Sequence, residues 1–137
     1  MEIQTMTQPI PHPDELSGPY WEGLKRGVLM IQSCGDCGTL RHYPRLLCGE
    51  CYSLAVTWVE VSGRGTIHSW TVAHHAFLPS FKEDLPYVLV VVDLEAGVRA
   101  MGRLTGVLDT DIQIGLPVQF TAQVRADGLV LPAFAPR

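Results

Sequence analysis

Four cysteines in two close pairs are the residues of this chain best suited to chemistry. The spacing is Cys34-x2-Cys37, ten residues, then Cys48-x2-Cys51. Each pair offers two thiolates from one tight turn, and the spacer is long enough for a short hairpin to bring the second turn to the first. Zinc takes four such ligands in a tetrahedron, with each sulfur at about 2.3 Å. Four thiolates leave no open position for water, so the centre this spacing predicts is structural, not catalytic. Its binding energy is then folding energy for residues 28 to 55. Gly38 follows Cys37, where such a turn needs positive φ. Tyr52 follows Cys51 and suits that position less well. Two disulfides, four free thiols or an iron–sulfur cluster are the competing readings of the same spacing.

Other reactive side chains form no recognisable set. His74 and His75 are adjacent, so on a strand they would point to opposite faces. His68 and Trp70 alternate and would share one face. Arg41, Arg45 and Arg64 flank the cysteines and the following strand, where guanidinium groups could meet phosphates. Solvated surface charge is the plainer explanation of each. Neither Gly-x-Ser-x-Gly nor His-Glu-x-x-His occurs, and Gly63-Arg64-Gly65 is too short for a phosphate loop. No autonomous catalytic machinery is apparent.

The elements that must position these groups are mostly strands. Ten Pro and thirteen Gly in 137 residues punctuate the chain as in an all-β protein, and 47% hydrophobic with 18% charged residues is a globular balance. Residues 1–13 read as a loose lead-in. A short amphipathic helix follows. Ser17 or Gly18 can cap it, Pro19 suits its first turn, Tyr20 and Leu24 share a face, and Arg26-Gly27 ends it. Short strands are predicted at Val28–Gln32 and Leu40–Tyr43. Longer ones are predicted at Val56–Val61, Gly65–His75, Tyr87–Leu94, Val98–Leu104, Pro117–Val124 and Leu129–Leu131. Residues 76–86 form the longest loop, and Gly63-Arg64-Gly65 marks a bend or bulge. Five main strands suit a small closed barrel of the OB type, with a β-sandwich as the alternative.

The formal net charge of −4 disfavours a nucleic-acid partner. No apolar run is long enough to span a bilayer, and Met1–His12 lacks the pattern of a signal peptide. The expectation is a soluble cytoplasmic protein, in which reduced cysteines favour metal over disulfides.

Several motifs in order resemble one family. They are Pro19-Tyr20-Trp21-Glu22-Gly23-Leu24 ahead of Cys34-x2-Cys37-Gly38, then Pro44-Arg45 and Cys48-x2-Cys51. Trp58-Val59-Glu60-Val61-Ser62-Gly63-Arg64-Gly65-Thr66-Ile67-His68-Ser69-Trp70-Thr71 follows, and later Pro86-Tyr87, Ile114-Gly115-Leu116-Pro117-Val118 and Leu131-Pro132-x-Phe134. From about residue 14 onward the chain resembles the DUF35 family, acyl-CoA-associated proteins with a rubredoxin-like zinc ribbon joined to an OB-fold.

The resemblance implies a mainly β protein with an N-terminal helix pair, of which one helix is clear in the sequence. The division expected is 1–27 for the lead-in and helix, 28–55 for the zinc ribbon and 56–137 for the OB-fold. It implies a structural zinc ion on Cys34, Cys37, Cys48 and Cys51. It also implies a heteromeric complex with a thiolase-like enzyme (an acyl-CoA aldolase, thiolase or acyltransferase) that supplies the catalytic residues, while this chain helps hold the acyl-CoA. Residues for CoA binding or the interface would be Trp21, Arg41, Arg45, Arg64, His68, Trp70 and His75. Trp58 and Phe77 are further aromatic anchors, although Trp58 also suits a core. Two other functions compete: a single-stranded nucleic-acid-binding zinc-ribbon OB protein, and an independent acyl-CoA hydrolase or transferase using His74 or His75.

Overall fold

The helix signalled by Pro19 and Gly27 runs Gly18–Lys25 (α1) in the computed structural model, which describes residues 8–137. Pro19 sits in the first turn, where its missing N–H costs nothing. Ser17 takes the N-cap position without capping by its side chain. Its hydroxyl turns back to Asp14 Oδ1 at 2.9 Å. Gly27, at φ 75°, ends the helix, and the Val28 amide donates to the Gly23 carbonyl at 2.9 Å. Eight residues are too few for an isolated helix. What holds α1 is its buried face, Tyr20 and Leu24, which joins the main core. The lead-in expected over residues 1–13 lies outside the described residues as far as 7, and residues 8–14 carry no helix or strand. Among the described residues α1 is the one α-helix, so the helix pair implied by the resemblance is not found there. No helix among them is long and apolar enough to cross a membrane.

Three strands form the ribbon sheet: Leu29–Cys34 (β1), Leu40–Arg41 (β2) and Val56–Val61 (β3), in the order β2-β1-β3. Five more close a barrel. They are Arg64–Ala73 (β4), Tyr87–Leu94 (β5), Arg99–Leu104 (β6), Pro117–Val124 (β7) and Val130–Pro136 (β8), ordered β4-β5-β6-β8-β7 with β7 returning to β4. This is the mainly β architecture of ribbon plus five-stranded barrel expected from the sequence, and closure rules out the sandwich. The barrel interior is apolar, with Ile67, Val90, Val92, Val118 and Phe134 at most 1% exposed.

Several details differ from the sequence expectations. Val56–Val61 has the limits expected of it, and it pairs along its whole length with β1, so that the first strand of the barrel ring is β4. Strand β2 stops at Arg41 rather than Tyr43, and residues 79–84 of the long loop form a 3-10 turn. Strand β8 is longer than foreseen and runs through Pro132 to Pro136. Proline has no ladder donor, but β8 pairs with β6 at only two positions, so one of its edges demands little.

The bend at Gly63-Arg64-Gly65 is real: Gly63 has φ 75° and hands the chain from β3 to β4. A β-bulge lies between Ile67 and Ser69. The extra residue, His68, shifts the alternation of β4. Trp70 then pairs with the fully buried Val90 and shares its face, whereas His68 turns to Asp93 on the outer side. His68 and Trp70 therefore do not share a face, contrary to simple alternation. Strand β4 also ends at Ala73, so His74 and His75 lie beyond it.

Candidate functional site

Strand β1 delivers Cys34 at its last residue, and the chain turns at once. The Gly38 amide donates to the Cys34 carbonyl at 3.0 Å, and the Cys34 amide donates to Thr39 O at 2.9 Å. The second turn repeats the pattern. The Tyr52 amide donates to Cys48 O at 3.1 Å, and the Cys48 amide donates to Ser53 O at 3.0 Å. Gly38 and Tyr52 both have positive φ, at 76° and 61°. Tyr52 therefore adopts the conformation the turn demands, at a cost of roughly 1–2 kcal/mol for a residue with a side chain.

The four sulfurs all lie within 4.8 Å of one another. Cys34 Sγ is 3.5 Å from Cys51 Sγ, and Cys37 Sγ is 3.7 Å from Cys48 Sγ. A tetrahedron with metal–sulfur bonds of about 2.3 Å has edges of about 3.8 Å, so the cradle fits one zinc ion. Amides already face the sulfurs: Asp36 N and Cys37 N point to Cys34 Sγ at 3.4 and 3.5 Å, and Glu50 N points to Cys48 Sγ at 3.4 Å. Donation from the Cys37 and Asp36 amides lowers the Cys34 thiol from 9.0 to about 6. The Cys51 and Glu50 amides lower Cys48 in the same way. Cys34 and Cys48 are buried, and Cys37 and Cys51 are exposed. The thiolates would hold the metal and occupy its whole coordination sphere, which organises the ribbon and leaves no position for a substrate.

The other residues singled out by sequence are dispersed. Arg41 is buried inside the ribbon, while Arg45 is exposed and Arg64 opens β4 at the surface. His68 lies 3.2 Å from Asp93, which also accepts from Arg99 Nε at 2.7 Å. Trp70 is 36% exposed and Phe77 92%; His75 stands edge-on to Phe77 with ring centroids 4.8 Å apart. Trp58 is half-buried and packs against the core.

Trp21 alone of the seven lines a cleft of about 490 Å³ between α1, the ribbon and the outer face of the barrel. Its other walls include Tyr20, Tyr43, Leu89, Met101 and Pro132, with Arg103 at the rim. Tyr43 Oη accepts from Met101 N at 3.0 Å and ties ribbon to barrel. Arg103 lies over the Tyr87 ring at 4.5 Å and also borders a second cleft of about 540 Å³ that includes Arg125. Tyr43, Met101 and Arg103 were not foreseen. The available signal was Met101, an apolar residue on the same alternate positions of β6 as Arg99 and Arg103.

His42 packs between Tyr20 and Tyr43, at 5.3 and 4.0 Å between ring centroids, and neither ring nitrogen has a hydrogen-bond partner among the described residues. Burial lowers its pKa from 6.5 to about 4. The unfolded chain therefore binds a proton that the folded chain refuses between those values. The stability this withholds is fully present above pH 6.5 and is lost as pH falls toward 4, by roughly 3 kcal/mol. His42→Phe should flatten that part of the acid-unfolding curve relative to wild type and cost no stability at pH 7. Denaturant titrations from pH 7 to pH 4 check it. Loss of metal in acid is common to both proteins.

Comparison with known proteins agrees with this geometry. Residues 21–57 match the family model described as the ChsH2 rubredoxin-like zinc ribbon domain, and residues 58–123 match the ChsH2 C-terminal OB-fold domain. The solved structure of an "Ltp2-ChsH2(DUF35) aldolase" superposes with a TM-score of 0.84 at 36% identity, covering 93% of this chain and 98% of that one. A "DUF35 domain-containing scaffold protein" of Pyrococcus furiosus is 31% identical, over 82% of this chain and 85% of its own. A "Probable enoyl-CoA hydratase alpha subunit" of Thermomonospora curvata is 38% identical over 85% of this chain. The chain spans about a third of the length of that hydratase subunit, 36%.

Proposed function

This chain belongs to the DUF35 family of ChsH2-type zinc-ribbon and OB-fold proteins, and from that premise we propose that it is an accessory subunit, not catalytic by itself. It associates with a thiolase-like enzyme and helps position that enzyme's acyl-CoA substrate. The observation that carries the reading is the structural match, over nearly the whole chain, to the DUF35 chain of an aldolase named for two components. The hydratase subunit that the chain resembles in part also bears a CoA ester in its name. The absence of any recognised catalytic motif is consistent with a partner that supplies the chemistry.

The 490 Å³ cleft suits the acyl portion, because its walls are aromatic and aliphatic. Arg103 at its rim is placed to meet an anionic or carbonyl group. Phe77 and Trp70 offer exposed aromatic surface for the partner enzyme.

Co-expression with a thiolase-like enzyme of its native host should yield a heteromeric complex on size exclusion. Phe77→Ala should weaken that complex roughly tenfold. Met101→Glu places a carboxylate against the acyl chain and should weaken acyl-CoA binding by the complex roughly tenfold, with zinc content unchanged. A chain that remains alone beside every such enzyme, and binds no acyl-CoA in calorimetry, would overturn the reading.

A further inference from the structure

Arg41 is 7% exposed, yet no carboxylate among the described residues pairs with it. A guanidinium stays charged in a protein. Buried charges are ordinarily paired or coordinate metals, because leaving water is costly. The Arg41 partners are neutral. Its Nε donates to Gln32 Oε1 at 2.7 Å and its Nη2 donates to the Arg45 carbonyl at 3.0 Å. Its Nη1 is buried without a partner among the described residues.

The position of Arg41 indicates where the missing negative charge lies. Arg41 is the cross-strand partner of Gln32, and cross-strand partners share a face. Gln32 stands two residues before Cys34 on β1, so it shares that ligand's face, about 7 Å along the strand. Gln32 Oε1 also accepts from the Arg45 amide at 2.7 Å, and Arg45 lies three residues before Cys48. Arg41 and Gln32 thus hold the segment leading to the second knuckle against the strand that ends in the first. Four thiolates around one divalent ion carry a net charge of −2.

We propose that Arg41 is a positioning residue of the metal centre, whose buried cation is the counter-charge to the zinc tetrathiolate while its hydrogen bonds clasp the two knuckles together. A nearby cation stabilises the sulfur lone pairs and keeps the thiolates ionised around the metal. A clasp alone would do neither.

Cobalt(II) loaded into the full chain reads the difference. In Arg41→Gln the sulfur-to-cobalt charge-transfer bands should move to longer wavelength, and zinc should be lost to a competing chelator at roughly tenfold lower concentration. Arg41→Lys should restore both toward wild type. Gln32→Glu keeps the two acceptor contacts and gives Arg41 a carboxylate partner. It should also red-shift the bands and weaken zinc, whereas a pure clasp would be unchanged or tighter. Unmoved bands in both Arg41→Gln and Gln32→Glu would overturn the counter-charge. So would Arg41→Lys behaving like Arg41→Gln. If Arg41→Gln does not fold, Gln32→Glu alone decides. A wild-type chain that takes up no cobalt or zinc would remove the centre itself, and the proposal with it.

Discussion

Replacing Cys48 by alanine will abolish stoichiometric zinc and leave residues 35–55 without stable structure, while β1, β3 and the barrel strands, which share one core, stay folded. The reason lies in what the ribbon lacks. Residues 42–55 contain no helix or strand, and their large apolar side chains face water: Leu46 is 68% exposed and Leu54 65%. The segment that carries the second knuckle therefore has almost no core. Near the second knuckle its main fixed points are the Cys48 thiolate, 1% exposed, and the hydrogen bonds of Gln32 and Arg41. Structural zinc supplies roughly 10–16 kcal/mol in zinc-finger peptides, comparable to the whole stability of an ordinary domain. Three thiolates cannot close the site. The barrel differs, since its centre is built from its own strands, with Val90, Val92, Val118 and Phe134 all at 0% exposure. Hydrogen exchange followed by peptide should show fast exchange across residues 35–55 and retained protection in β1, β5 and β7. Elemental analysis gives the metal content. Slow exchange across residues 42–55 of metal-free Cys48→Ala would contradict the dependence of that segment on zinc.

Legibility in the sequence tracked how local each determinant was. The cysteine spacing fixes its own turn geometry, so the four ligands were readable before any fold. Pro19 and Gly27 act within one helical turn, and they bound α1 closely. Strands β5 and β7 have strong apolar patterning, and their limits were read to the residue. The errors arose where a distant partner decides. The bulge at His68 depends on the register of β5 across from it. Arg41 looks like any surface arginine until Gln32 and the Arg45 carbonyl, nine and four residues away, close over it. The cleft beside Met101 is assembled from α1, the ribbon and the barrel, and no single segment announces it.

Gly65→Ala should be among the most destabilising single substitutions available outside the metal site. A methyl group there would sit 2.6 Å from Val92 Cγ1 and closer still to the Asp93 carbonyl oxygen, a backbone atom of the paired strand that cannot step aside. Gly63→Ala meets two penalties. Its φ of 75° is unfavourable for any side chain, and the new methyl would collide with Phe120 Cβ, whose backbone amide is hydrogen-bonded to Gly63 O at 2.8 Å. Conformational strain of roughly 1 kcal/mol and overpacking of roughly 1–3 kcal/mol then add. Gly115 is the control: its φ is 87°, but open space surrounds it, so Gly115→Ala carries only the conformational part. At about 4 °C per kcal/mol for a chain of this size, Gly63→Ala and Gly65→Ala should melt about 10 °C or more below wild type, and Gly115→Ala about 4 °C below. Both glycines sit at the joint where β3 leaves the ribbon sheet and β4 enters the barrel. Their substitution should therefore spare zinc uptake by the knuckles and loosen the walls of the cleft that the two parts share. Thermal melts beside metal analysis test the pair. A Gly65→Ala protein as stable as Gly115→Ala would mean that the approach of β4 to β5 is not as close as the structure places it.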